Sequence, residues 1–163
     1  MPSSSPKKRI FIVDDDAAIR DGLVKLFSRN PDFVIAGAAR DASEAIALAQ
    51  RHAADAAFVD LYLPGFHGFV VINQLLQLNP DLRIIVYSAH DDEYFALSAF
   101  RAGARGFVSK SEPAENLLLA LHTVFSGELY LDLPMRSRLL ALVANTPEIE
   151  LQGLLKITSP PST

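Results

Sequence analysis

The chain has 163 residues, half of them apolar and 21% charged, with a formal net charge of −4 and no cysteine. That is the size and balance of one globular domain with some extra length, and it excludes a disulfide scaffold, a thiolate metal site and a cysteine nucleophile. A net negative charge with only the short basic cluster Lys7-Lys8-Arg9 leaves no electrostatic footprint for nucleic acid or an anionic membrane.

In chain order, the Ser/Pro-rich leader 1–6 is expected to be disordered. The run RIFIV (9–13) follows, too short for a signal-peptide core, and no later run approaches a membrane span, so a cytoplasmic protein is expected. Further short apolar runs are FVIAGAA (33–39), AAFV (56–59), LRIIVYS (82–88) and RGFVS (105–109). They are rich in Ile, Val and Phe and lack the polar alternation of a one-sided strand, so they read as buried parallel strands. Segments of helical period lie between them at 16–29, 41–52, 68–78 and 91–102, and a fifth at 113–126 opens on Pro113. Asn30-Pro31, Asn79-Pro80, Gly103 and Gly127 are legible stops. Five βα repeats predict an α/β fold: a doubly wound, five-stranded parallel sheet of flavodoxin-like order 2-1-3-4-5, spanning residues 7–127. Residues 128–156 read as a linker and helical extension, with short amphipathic helices at 134–144 and 147–156, and 157–163 as a disordered tail.

Ligands of such a sheet sit outside the carboxyl ends of its strands, where the strand order reverses. The first strand ends in Asp14-Asp15-Asp16, the third in Asp60, the fourth in Ser88, and the fifth runs through Phe107 to Lys110. Singly, each has a plain structural reading: Asp16 or Ser88 as a helix cap, Asp60 in a turn-forming loop with Pro64-Gly65, Lys110 as a solvated cation. Jointly they do not, because the order 2-1-3-4-5 brings Asp14, Asp15 and Asp60 together with Ser88 and Lys110 beyond. Clustered carboxylates repel one another unless a cation offsets them, and hard oxygen donors suit Mg²⁺.

Four pieces, VDDDAAIR (13–20), VDLYLPGFHGF (59–69), IIVYSAHDDE (84–93) and AGARGFVSKSEP (102–113), make the chain resemble the receiver domains of two-component response regulators over about residues 7–132. The resemblance implies that Asp60 accepts a phosphoryl group. It implies that Asp15 binds Mg²⁺ directly and Asp14 largely through water, with a backbone carbonyl from Tyr62. Ser88 matches the switch hydroxyl, Phe107 the switch aromatic and Lys110 the lysine of the pocket, leaving Asp16 to the helix. Phe107 stands where Tyr is commoner, so a hydroxyl that could hold the ring in one state is missing. Tyr62 and His90 match the positions that flank the phosphoryl group and govern its exposure to water. The other histidines, 52, 67 and 122, show no metal-ligand spacing and read as surface or helix residues.

The resemblance further implies a histidine kinase or histidine phosphotransfer protein as phosphoryl donor, and a signalling domain that catalyses its own phosphorylation and slow dephosphorylation. GFVSKS and SGELYLD (126–132) are similar to the subfamily with a LuxR-type helix-turn-helix output. After Gly127, however, Arg136, Arg138 and Lys156 are the only basic residues, too few for a phosphate-binding surface, and no DNA binding by this chain alone is expected. The fifth helix carries Leu117, Leu118, Leu119, Leu121, Val124 and Phe125, more than one sheet-facing stripe requires. That surplus points to a homodimer through this region or to packing beneath 134–144. Two rival classes stay open. One is a haloacid-dehalogenase-like phosphohydrolase with Asp14 as nucleophile and an Asp14-x-Asp16 motif; the other is an interaction module on the same fold that works without phosphorylation.

Overall fold

The computed structural model describes residues 5–90 and 92–145. The chain runs β1 (Lys8–Val13), α1 (Ala17–Ser28), β2 (Phe33–Ala39), α2 (Ala42–Arg51), β3 (Ala56–Val59), a small hairpin of β4 (Tyr62–Leu63) and β5 (Phe66–His67), and α3 (Gly68–Leu78). It continues with β6 (Arg83–Ser88), α4 (Glu93–Arg101), β7 (Gly106–Ser109), α5 (Ala114–Phe125), β8 (Tyr130–Leu131) and α6 (Leu133–Asn145). Among the described residues no helix is long and apolar enough to cross a membrane.

All pairings of the main sheet are parallel, in the order β2-β1-β3-β6-β7-β8. The expected five strands in the order 2-1-3-4-5 are therefore present, but the sheet is larger by one strand. After α5 the chain turns at Gly127, whose φ of 92° is a conformation that side chains resist. It then returns beside β7, where the Tyr130 N–H donates to the Arg105 carbonyl at 2.9 Å. Tyr130 and Leu131 point to opposite faces and both are buried. Two residues are too few to show a strand pattern, and their burial depends on the free edge of β7.

The core divides by face. Leu23 and Phe27 of α1 and Leu117, Ala120, Leu121 and Val124 of α5 pack with Ile10, Ile12, Phe58, Ile85 and Val108. Residues from α2, α3, α4 and α6 pack on the other face with Phe11, Val13, Val59, Ile84, Val86 and Phe107. The fifth helix thus spends most of its leucines against α1 and the sheet. They do not lie beneath α6, and only Leu119 is left largely exposed, at 54%.

Local signals set the helix ends. Asp16 caps α1 through the Ala18 and Ile19 N–H groups at 2.8 and 3.3 Å. Asp92, not Ser88, caps α4 through the Tyr94 N–H at 2.7 Å, so this helix starts two residues later than expected. The segment read at 134–144 is α6, and its inward stripe of Met135, Leu139 and Val143 is buried. The helix expected at 147–156, the tail 157–163 and most of the leader lie outside the described residues.

Candidate functional site

The parallel register delivers the site residues to one edge of the sheet. Val13 pairs with Val59 and Val59 with Val86, so Asp14 and Asp60 leave adjacent strands at the same level and Ser88 lies just beyond. Ser88 itself pairs with Ser109, one residue before Lys110. Backbone bonds hold these ends: the Asp14 N–H donates to the Ala39 carbonyl at 3.0 Å, the Asp60 N–H to Val13 at 2.9 Å, and the Lys110 N–H to Ser88 at 2.8 Å.

Asp14, Asp60 and Ser88 are buried and Asp15 is exposed. One carboxylate oxygen from each of Asp14, Asp15 and Asp60 falls within 4.8 Å of the others. The Lys110 ammonium bridges two of them, 2.6 Å from Asp14 Oδ2 and 2.9 Å from Asp60 Oδ2. The second oxygens meet backbone: Asp14 Oδ1 accepts from the Asp16 N–H at 2.9 Å, and Asp60 Oδ1 from the Tyr62 N–H at 3.2 Å. Burial works against the Lys110 charge, but its hydrogen bonds to Asp14 and Asp60 outweigh it and raise its pKa, so it stays an ammonium. Burial also raises the Asp14 pKa despite the opposing bonds from Lys110 and the Asp16 N–H. A buried carboxyl that one lysine does not fully compensate, beside two more hard oxygen donors, fits a divalent cation such as Mg²⁺.

Ser88 Oγ accepts from the His90 N–H at 3.1 Å, which ties the β6–α4 loop to the hydroxyl. Tyr62 and His90 meet across the mouth with ring centroids 3.9 Å apart. Phe107 is not at the surface: its ring is 0% exposed, packed in the α4 and α6 side of the core.

Three features of the site escaped the sequence reading. Arg20 Nη1 donates to the Asp14 carbonyl at 2.7 Å; a cation near a helix N-terminus runs against the helix dipole, a usable hint that it serves something else. A Cβ at Gly68 would stand 2.5 Å from Leu61 Cα and 2.7 Å from the Asp60 carbonyl oxygen, so only glycine lets α3 start against the backbone of the Asp60 loop. His67, read as a surface residue, is exposed but stacks on Phe69 at 4.6 Å, and with Phe95 and the Tyr62–His90 pair forms an aromatic cluster over the two loops.

A parallel α/β sheet with an acidic trio, a half-buried bridging lysine and a hydroxyl at its strand ends defines a class, the phospho-accepting signalling switches. The family model of the response regulator receiver domain matches residues 10–122, and the chain belongs to that family. It is 32% identical over 132 residues to the oxygen regulatory protein NreC of Staphylococcus haemolyticus, a match covering 80% of this chain and 61% of that protein. The chain thus spans about three fifths of that curated relative. A two-component response regulator of the LuxR family from Aurantimonas sp. SI85-9A1 shares the fold with a TM-score of 0.81 and 30% identity, over 85% of this chain and 99% of that one. The signal receiver domain of the response regulator NarL from Mycobacterium tuberculosis gives 0.71 and 27%, over 76% and 100%. Receiver domains bind Mg²⁺ at an acidic site, and the Asp14, Asp15 and Asp60 pocket suits both that ion and a phosphorylation site.

Proposed function

We propose that Asp60 is the phosphoryl acceptor and that residues 7–127 work as the switch unit of a cytoplasmic signalling protein. The observation that carries this reading is the Asp60 carboxylate itself, fixed between the Tyr62 N–H and the Lys110 ammonium beside two further carboxylates. The donor is a phosphohistidine on a histidine kinase or histidine phosphotransfer protein. An Asp60 oxygen forms the new O–P bond as the P–N bond breaks, and the imidazole leaves with that electron pair. Lys110, held beside the acceptor, neutralises charge on the incoming group. Asp14, Asp15, Asp60 and the Tyr62 carbonyl would hold Mg²⁺, which supplies Lewis-acid charge stabilisation when bound. The chain promotes its own phosphorylation and, slowly, its own dephosphorylation.

Acetyl phosphate with Mg²⁺ should place one phosphoryl group on the chain, detected by intact mass. Asp60→Asn should abolish it, and chelation of Mg²⁺ or Asp15→Asn should slow it at least about a hundredfold. Labelling that survives Asp60→Asn and is lost in Asp14→Asn would instead support the phosphohydrolase. That rival is disfavoured because it would leave Asp60, held between the Lys110 ammonium and the Tyr62 N–H, without a role. The Tyr62 and His90 rings shield the acyl phosphate from in-line water, so replacing both with alanine should shorten its lifetime; an unchanged lifetime would count against shielding. Output runs through protein contacts, a homodimer in the α5 region with Leu119 at the contact, and the chain does not bind DNA by itself. Light scattering of the phosphorylated chain tests the dimer, and salt-sensitive binding to duplex DNA would overturn the claim about output.

A further inference from the structure

We propose that α6 is a detachable cover, docked over α4 and Phe107 when Asp60 is unmodified and released when Asp60 carries a phosphoryl group; this rests on the reading of Asp60 given above. The docked state is built from Met135, Leu139 and Val143, buried in one cluster with Ala96, Leu97 and Ala99 of α4 and with Phe107. On the α4 side much of this contact is alanine. Beside Leu97, such a surface offers few large side chains to interlock, so α4 can slide under α6 at little cost.

The connection from Asp60 to α6 is short. Ser88 Oγ holds the His90 N–H, and Asp92 then caps α4. Glu93, in the first turn of α4, meets Arg138 of α6, with Arg138 Nε 3.5 Å from Glu93 Oε1. New phosphoryl oxygens on Asp60 draw the Ser88 hydroxyl toward them. The His90 N–H loses its acceptor, the first turn of α4 shifts, and the Glu93–Arg138 pair opens. At the other end of the contact, Asp132 caps α6 through the Met135 N–H at 2.9 Å. Its second oxygen, Oδ2, is buried without a hydrogen-bond partner, as is Arg136 Nε. Docking therefore carries unsatisfied polar atoms that release returns to water, which keeps the docked state within reach of the switch.

Hydrogen–deuterium exchange on the whole chain tests this, with Mg²⁺ alone and with Mg²⁺ plus beryllofluoride, an analogue of the phosphoryl group. Amides of α6 should exchange at least about tenfold faster with beryllofluoride, while those of α1 stay unchanged. Bound beryllofluoride is read independently by its fluorine NMR resonance. A bound signal with unchanged α6 exchange overturns the cover; no bound signal overturns the Asp60 reading, and the cover with it. Glu93→Gln, at a partly exposed site outside the pocket, should speed α6 exchange several-fold without beryllofluoride and shrink the response to it. If that chain behaves like the unaltered one, the coupling through Arg138 is wrong.

Discussion

On the α1/α5 side of the sheet the core is aromatic and interlocked. Phe27 stacks on Phe58 at 5.0 Å and meets Phe33 edge-on at 6.2 Å, Phe33 stacks on Phe125 at 6.4 Å, and Phe58 meets Tyr87 at 6.4 Å. Arg83 adds a hydrogen bond to the Val124 carbonyl at 2.9 Å and lies over the Phe125 ring. The opposite side, which carries α4 and α6, buries Ala39, Ala42, Ala45, Ala57, Ala96, Ala99 and Ala104 beside Phe11 and Phe107, while the rings of Tyr62, His67, Phe69 and His90 gather over the loops around Asp60. Large rings that interdigitate resist displacement, whereas helices meeting through alanines shift as bodies. One face holds the strand ends in place and the other is free to respond to what happens there.

The contrast can be broken by mutation. Phe27→Ala should have the largest effect, a loss of about 3–5 kcal/mol in urea unfolding, because it removes the centre of the aromatic stack. Leu139→Ala, buried at the α6 contact, should cost about 2–3 kcal/mol. Equal losses at the two positions would erase the distinction between a rigid and an adjustable face.

Gly68→Ala sharpens the picture at the site. The added methyl forces the Asp60–Leu61 backbone aside, and misplacing the acceptor should slow labelling by acetyl phosphate at least about tenfold. Labelling at the ordinary rate would show that the loop yields without moving Asp60. The smallest effect belongs to Asp16→Ala, which should cost about 1 kcal/mol of stability through the lost α1 cap and leave Mg²⁺-dependent labelling unchanged. A loss of labelling would move Asp16 from the helix to the metal.

Much of this was readable from the chain alone, for physical reasons. Ile10–Val13 and Ala56–Val59 are strands buried on both faces, so their apolar runs are unbroken and their ends are marked by the first carboxylate, which places Asp14 and Asp60 side by side. Asp16 was readable as a cap because capping is local. What stayed hidden was non-local. Tyr130–Leu131 becomes a strand only beside β7. The face taken by the α5 leucines depends on where α1 already lies, and the space forbidden at Gly68 is set by the backbone of a different loop. Burial of Phe107 beneath α4 and α6 likewise follows from the docking of a helix that begins 26 residues later in the sequence, at Leu133.

The most direct test is a residue-resolved amide NMR comparison of the chain with Mg²⁺ alone and with Mg²⁺ and beryllofluoride, alongside Asp60→Asn. Shifts are expected around Asp60, Ser88 and Lys110 and onward through α4 into α6, with an unmoved Phe27–Phe58 region and no response in Asp60→Asn. A response that persists in Asp60→Asn, or one centred on α1 and the aromatic stack, would contradict this expectation.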